Sequence, residues 1–436
     1  MIDATQPVLQ IGEIPVTQLA REYGTTMYVY DAEEIEQKVN SFRQLMHKDV
    51  HLFYSLKANP NPTIVKWIYE LGANLEICSP IELKVVKKLD IDPNRILYLG
   101  PGKTTAEIEE ILDYGIKYFV LESMQEMEEV NRLAGLRNLH VEVGIRFNPN
   151  MSAKGSRLTM GGKPRQFGID EDQAQQVFEF AETLSHLDIV GVHVYNGTRI
   201  LSGDVVIENT KHVLTFVKQL YHTCHFSLKY VDIGGGLGIP YFKNEEELDF
   251  EYTASGIRSL IDEFHSEIGL NLPIFIESGR YVVGESGIYA ASVLYTKESK
   301  SVHFATLDGG TNHHMAAGGM GNALKHNFPI RVLNKMTEPE VRPYHISGPL
   351  CTPNDVIAKH LSLPHIERGD LVGILSAGAY GLTSSPVLFL SHRLPVEVLV
   401  YKGQSILIRN RDEYEAPELR SLEAWLQEKQ QLGGYS

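Results

Sequence analysis

Four short stretches of this chain carry residue types that can do chemistry together. "FYSLKANPNP" sets Lys57 at the end of an apolar run that breaks at Asn-Pro. "HVYNGT" places His193 near the end of a second run. "DIGGGLG" puts Gly234, Gly235 and Gly236 just after a third, and "ESGR" brings Glu277, Gly279 and Arg280 to the end of a fourth. A lysine amine is a nucleophile that forms Schiff bases with carbonyl compounds. Consecutive glycines offer bare backbone N–H groups to an anion. An imidazole stacks on a flat ring, and a carboxylate holds a proton on a ring nitrogen.

Each residue also has an ordinary structural reading. Lys57 alone reads equally well as a strand-end lysine that snorkels to water. His193 alone reads as a satisfied core histidine. The glycine run alone reads as a turn with positive φ, and Glu277 as an ion-pair partner of Arg280. Together they fit one ligand better than four separate accidents. An aldehyde cofactor carrying a phosphate, pyridoxal 5'-phosphate, needs an amine, an anion nest, a ring stacker and a partner for its pyridine nitrogen. A lysine that becomes an imine also leaves no buried charge at a strand mouth.

The elements that must position these groups are legible as apolar, β-rich runs separated by helical stretches. The runs are "LFYSLKA" (52–58), "LEICS" (75–79), "ILYLG" (96–100), "YFVLE" (118–122), "VEVGIRF" (141–147), "IVGVHVY" (189–195), "YVDIG" (230–234) and "IFIES" (274–278). Continuous rather than alternating apolar runs indicate parallel strands covered on both faces. Eight strand–helix units predict a closed (β/α)8 TIM barrel, with an open doubly wound sheet as the rival. In such a barrel the functional groups gather at the C-terminal ends of the strands, where Lys57, His193, the glycines and Glu277 all fall.

After Gly279 the texture becomes β-rich with few helical patterns, which predicts an all-β second domain. The expected division is residues 26–279 for the cofactor-binding barrel, 1–25 and 280–415 for the β domain, and 416–436 for an amphipathic helix and tail.

Composition narrows the function classes. Forty basic against 55 acidic residues give a net charge of -15, which argues against a general nucleic-acid binder. Three widely spaced cysteines, Cys78, Cys224 and Cys351, do not suggest a disulfide framework and suit a reducing compartment. With neither a signal-like start nor a long apolar span, the expectation is a cytoplasmic protein away from membranes. No metal site is expected: the adjacent His313 and His314 point to opposite faces of an extended segment, and "YHTCH" lacks a second cluster.

The chain resembles the fold-type III pyridoxal-phosphate decarboxylases, the group that includes diaminopimelate, ornithine and arginine decarboxylases. The resemblance runs from "YVYD" to "VEVL" and rests on "FYSLKAN", "HVYNGT", "DIGGGLG", "ESGR", "GPLCTPND" and "SAGAYG". It implies that Lys57 is the Schiff-base lysine, His193 the ring stacker and Glu277 the partner of the pyridine nitrogen. It places Gly234, Gly235, Gly236, Gly279, Arg280 and Tyr380 around the cofactor, with Arg280 and Tyr380 also near substrate. It further implies a homodimer with shared sites, in which Cys351 reaches across as proton donor and Asp355 holds the distal end of an amino-acid substrate.

The chain departs from the diaminopimelate enzymes at three places. They carry an arginine soon after the "DGG" that follows the barrel, whereas here the segment reads "LDGGTNHHMAAGG". The histidine segment is stretched to "HVYNGTR", and a lysine before "FG" is Gln166. "KPRQFG", "HVYNGT" and "GPLCTP" look closer to the branch that acts on a carrier-protein-linked glutamyl thioester, as in the butirosin pathway. The implied activity is α-decarboxylation of a modified or carrier-linked amino acid in antibiotic- or siderophore-type biosynthesis, or of a diaminopimelate-like substrate. The alternatives are a racemase or epimerase on the same fold, a non-catalytic decarboxylase-like regulator, and a cofactor-free barrel aldolase.

Overall fold

A computed structural model describes residues 5–150, 158–159, 164, 166–318 and 326–411. The expected C-terminal helix lies outside the described residues.

Eight parallel strands close into a barrel. They are Val50–Ser55, Asn74–Ile77, Ile96–Tyr98, Tyr118–Leu121, Val141–Asn148, Leu187–Val194, Tyr230–Asp232 and Ile274–Ser278. Each pairs with the next, and the eighth pairs back to the first through Glu277 opposite Phe53. The open sheet is thereby excluded. Several runs end earlier than the sequence suggests, the first most of all: its strand stops at Ser55, and Lys57 sits in the single 3-10 turn Leu56–Ala58. Leaving the strand there turns the amine out of the barrel wall and over its mouth.

The helices start where local chemistry says they should. Asn61, Ser79, Thr104 and Ser123 accept backbone N–H groups at the helix N-termini, and Thr104 with Glu107 forms a capping box. Pro62 and Pro80 occupy first-turn positions, where no N–H is needed. Buried Ile64, Val65 and Ile68 face the sheet, as do Leu83 and Val86 of the next helix.

The barrel interior is filled by Phe53, Leu97, Val120, Val190, Tyr230 and Phe275. Tyr230 stacks on Phe275 at 4.8 Å. Its ring occupies the space a side chain at Gly191 would need: a Cβ there would meet the ring at 2.1 Å. This plug closes the barrel axis, so a ligand has access from the loop end.

The second domain is a mixed sheet around the long strand Gly287–Ser299, which pairs with Met27–Asp31, Val302–Leu307 and Leu371–Ile374. Met27–Asp31 falls on the barrel side of the sequence-based boundary, yet it pairs antiparallel with Gly287–Ser299 and parallel with Val396–Tyr401. The reason is its two faces. Met27 and Val29 pack with Ile288, Val396 and Val398 in the β-domain core, while Tyr28 and Tyr30 belong to the core shared with the barrel. The segment ahead of it contains the helix Val16–Tyr23 as well as a two-residue hairpin. No helix among the described residues is long and apolar enough to cross a membrane.

Candidate active site

The strand ends bring the sequence-selected residues to one mouth. Ser55, Lys57, Tyr195, Thr198, Gly236, Glu277, Gly279, Arg280 and Tyr380 line a single cleft. Lys57 points across to Glu76, the buried acid of the second strand, with Nζ 2.9 and 3.0 Å from its two carboxylate oxygens. Burial favours the neutral amine, but Glu76 and then Glu277 outweigh it and hold Lys57 well above the usual lysine range. The unloaded site therefore stores Lys57 as an ammonium ion on a carboxylate.

Deeper in the mouth lie His193, Asp232 and Glu277, all buried. They come from the sixth, seventh and eighth strands, with His193 in register with Asp232. The His193 Nε2 atom is 3.1 Å from Glu277 Oε1, without the alignment that a hydrogen bond requires. Burial pushes the Glu277 carboxyl up, but His193, Lys57 and Arg146 pull it down to about 2, so it is a carboxylate at any working pH. Arg146, on the fifth strand, is itself held by Glu122 at 3.0 Å.

The glycine run wraps between the last strands. Gly234 N–H donates to Asp232 Oδ1 at 2.9 Å, and Glu277 N–H donates to Gly234 O at 2.9 Å. A Cβ on Gly235 would lie 1.9 Å from Glu277 O, and one on Gly236 2.3 Å from Gly197 O. Only bare backbone fits there, and the nest and Glu277 share one scaffold. Arg280 Nη1 donates to Tyr241 Oη at 2.9 Å, and its guanidinium lies 4.6 Å from the Tyr380 ring centroid.

The β domain completes the mouth. Tyr380 N–H donates to Ala58 O at 2.8 Å, which ties its loop to the Lys57 turn. The asparagines of "KANPNP" serve the same seam: Asn59 Nδ2 donates to Gly378 O, and Asn61 Nδ2 to Glu397 Oε2.

Two expected residues are elsewhere. Cys351 is exposed on the β domain and is not among the residues lining its own chain's Lys57 cleft. Asp355 is buried and faces inward: Oδ1 accepts from Thr311 N–H at 2.7 Å and Thr311 Oγ1 at 2.9 Å, and Oδ2 accepts from Leu350 N–H at 2.8 Å. This carboxylate clamps its own loop, with both oxygens engaged by Thr311 and the Leu350 N–H. Glu76, Asp232, Tyr195, Thr198 and Arg146 were not singled out in the sequence. A signal was present for three of them: an ionisable residue inside a continuous apolar run, in "LEIC", "YVDIG" and "VEVGIRF".

These residues fit pyridoxal 5'-phosphate. Both nitrogens of His193, Glu277 Oε1, Ser278 Oγ and Arg280 Nε are buried without a hydrogen-bond partner among the described residues, beside a nest that admits only glycine. Lys57 would hold the aldehyde covalently, the Gly234–Gly236 backbone with Arg280 would receive the phosphate, and Glu277 would face the ring nitrogen. When bound, the cofactor supplies the electron sink for α-carbon chemistry.

Comparison with known proteins agrees. The family model for the pyridoxal binding domain of pyridoxal-dependent decarboxylases matches residues 32–284. The L-glutamyl-(BtrI acyl-carrier protein) decarboxylase of Niallia circulans is 34% identical over 406 residues, covering 92% of this chain and 95% of that protein. The diaminopimelate decarboxylase of Aquifex aeolicus is 34% identical over 408 residues, covering 93% and 94%. The structure of the Helicobacter pylori diaminopimelate decarboxylase complexed with L-lysine matches with a TM-score of 0.81 at 29% identity, over 95% of this chain and all 100% of that one. That of the M. jannaschii enzyme matches with a TM-score of 0.86 at 27% identity, over 94% and 95%. The chain belongs to the pyridoxal-dependent decarboxylase family and is a pyridoxal-phosphate-dependent carboxy-lyase.

Proposed function

We propose that this decarboxylase removes the α-carboxylate of a carrier-linked amino acid, with a glutamyl thioester as the leading substrate. The observation that carries this reading is the segment after the barrel. Diaminopimelate has a free distal carboxylate, for which the enzymes of that name are expected to supply an arginine after "DGG". Here no arginine occurs between Asp308 and Ile330. The side chains at that place turn into the β domain: Thr311 serves Asp355, His313 meets Thr26 and Tyr289, and His314 meets Tyr28. A glutamyl group decarboxylated at its α-carbon must carry its thioester on the side-chain carboxyl, which removes the distal charge. The likeness to the Niallia circulans protein supports the same substrate class.

In this reading Lys57 would hold the cofactor and yield it to the substrate amine. His193 would lie against the ring, Glu277 would keep the ring nitrogen protonated, and Cys351 of the partner subunit would return a proton to the α-carbon. The exposure of Cys351, away from its own Lys57, suits a cytoplasmic homodimer with shared sites. Diaminopimelate is the second reading, favoured by the Aquifex aeolicus relative.

One assay separates them. The loaded enzyme is incubated with free glutamate, with diaminopimelate and with carrier-bound glutamyl thioester, and mass spectrometry follows loss of carbon dioxide. Turnover of the thioester alone is expected, and Lys57→Ala abolishes it; turnover of diaminopimelate alone refutes the proposal. Mixing Lys57→Ala with Cys351→Ala subunits tests the shared site, because random pairing restores one intact site in half the dimers and about a quarter of wild-type activity. No recovery on mixing removes Cys351 as a donor across the interface.

A further inference from the structure

The site holds an ionisable group that the chemistry above does not employ. Asp232 is fully buried at the end of the seventh strand. Its nearest ligand-type oxygen, one from Glu277 and a ring nitrogen of His193 all lie within 4.8 Å of one another. Asp232 Oδ1 accepts the Gly234 N–H, but Oδ2 finds no donor among the described residues, and neither does Glu277 Oε1. Two carboxylates this close, both buried, do not both stay ionised; one proton settles between them. It turns two unsatisfied acceptors into a donor and an acceptor.

We propose that Asp232 is a positioning residue that carries the single proton of this buried pair, keeping Glu277 as the carboxylate that faces the cofactor ring and bracing the glycine nest through its other oxygen.

The surroundings decide which partner takes the proton. Around the pair stand His193 from the sixth strand, Arg146 from the fifth, Lys57 from the turn after the first, Glu76 from the second and Tyr230 two residues back on the seventh. His193, Lys57 and Arg146 act on Glu277, which they hold at about 2 against its burial. Asp232 is pushed the other way: burial and then the charge of Glu277 raise it well above the aspartate range, with Glu76 adding to the push and the Gly234 N–H opposing. The backbone carries the second half of the role. Asp232, Gly234 and Glu277 are joined by the two 2.9 Å bonds through Gly234. The residue that stores the proton therefore also fixes the loop that would receive the phosphate.

The test does not depend on the substrate. Infrared spectroscopy of the unloaded chain at about pH 9, above the Glu82 carboxyl that burial pushes up to about 7, is expected to show a protonated-carboxyl carbonyl band that Asp232→Asn removes. Asparagine reproduces a neutral aspartic acid, accepting from Gly234 and donating toward Glu277. Asp232→Asn is therefore expected to bind pyridoxal phosphate within about threefold of wild type, with the same pH profile of the bound cofactor's absorption. Asp232→Ala loses both contacts and is expected to weaken cofactor binding by on the order of tenfold or more. Glu277→Gln, as reference, shifts the absorption profile. The proposal is overturned by absence of the band in wild type, by its persistence in Asp232→Asn, or by an Asp232→Asn profile that moves as far as that of Glu277→Gln. If Asp232→Asn does not fold, a wild-type spectrum without the band still refutes the proposal. Failure of the thioester assay would leave these outcomes untouched.

Discussion

Replacing Gly235 by alanine tests the claim that the nest and Glu277 are one construction. The added Cβ would stand 1.9 Å from the Glu277 carbonyl oxygen and 2.9 Å from its carbon, whereas real Cβ contacts stay beyond 3.0 Å. Both obstacles are backbone, so no side-chain rotation relieves them, and the two strand ends must part by about 1 Å. Overpacking of this kind costs about 1–3 kcal/mol. Because the displaced atoms are the ones that would hold the phosphate and the ring partner, much of that cost falls on cofactor binding. Two kcal/mol corresponds to about thirtyfold in affinity. The assay is titration of the unloaded variant with pyridoxal phosphate, read by absorbance, beside a thermal melt. Gly269→Ala is the control: its φ of +70° also disfavours a side chain, but a Cβ there meets nothing within 4 Å. It should cost about 1 kcal/mol of stability and leave cofactor affinity unchanged. A Gly235→Ala variant that titrates like wild type would refute the shared-scaffold argument.

Two further outcomes follow from the same geometry. Burial holds His313 and His314 at about 4, against 6.5 when unfolded. The unfolded chain thus binds more protons in that window, and stability is full above about 6.5 and falls as pH drops toward 4, by on the order of 3 kcal/mol per histidine. His314→Phe should flatten this acid-side decline in melting temperature, and an unchanged slope would show that His314 is not its source. Asp355→Ala removes three hydrogen-bond acceptances, one of them buried and two part-buried, and should lower stability by about 3 kcal/mol while leaving KM near wild type; a raised KM with an unchanged melt would make Asp355 a substrate ligand.

The one-dimensional pattern determined the barrel, because eight buried parallel strands must each be an apolar run and each must be followed by a helix. It also located Lys57, His193, the glycines and Glu277, since each is a residue type out of keeping with its neighbours at a strand end. Only the closed structure decided what these groups meet. Glu76 becomes the partner of Lys57 because the first two strands pair Ser55 with Glu76. Asp232 and Glu277 become a pair because the seventh and eighth strands end side by side. Met27–Asp31 joined the second domain because strands more than 250 residues away pair with both of its edges. Asp355 turned inward because Thr311 and the Leu350 N–H were there to receive it. Chemistry that resides in a residue's own type is written locally. Charge pairing, proton sharing and the direction a carboxylate faces depend on register across strands distant in the chain, which exists only once the chain has folded.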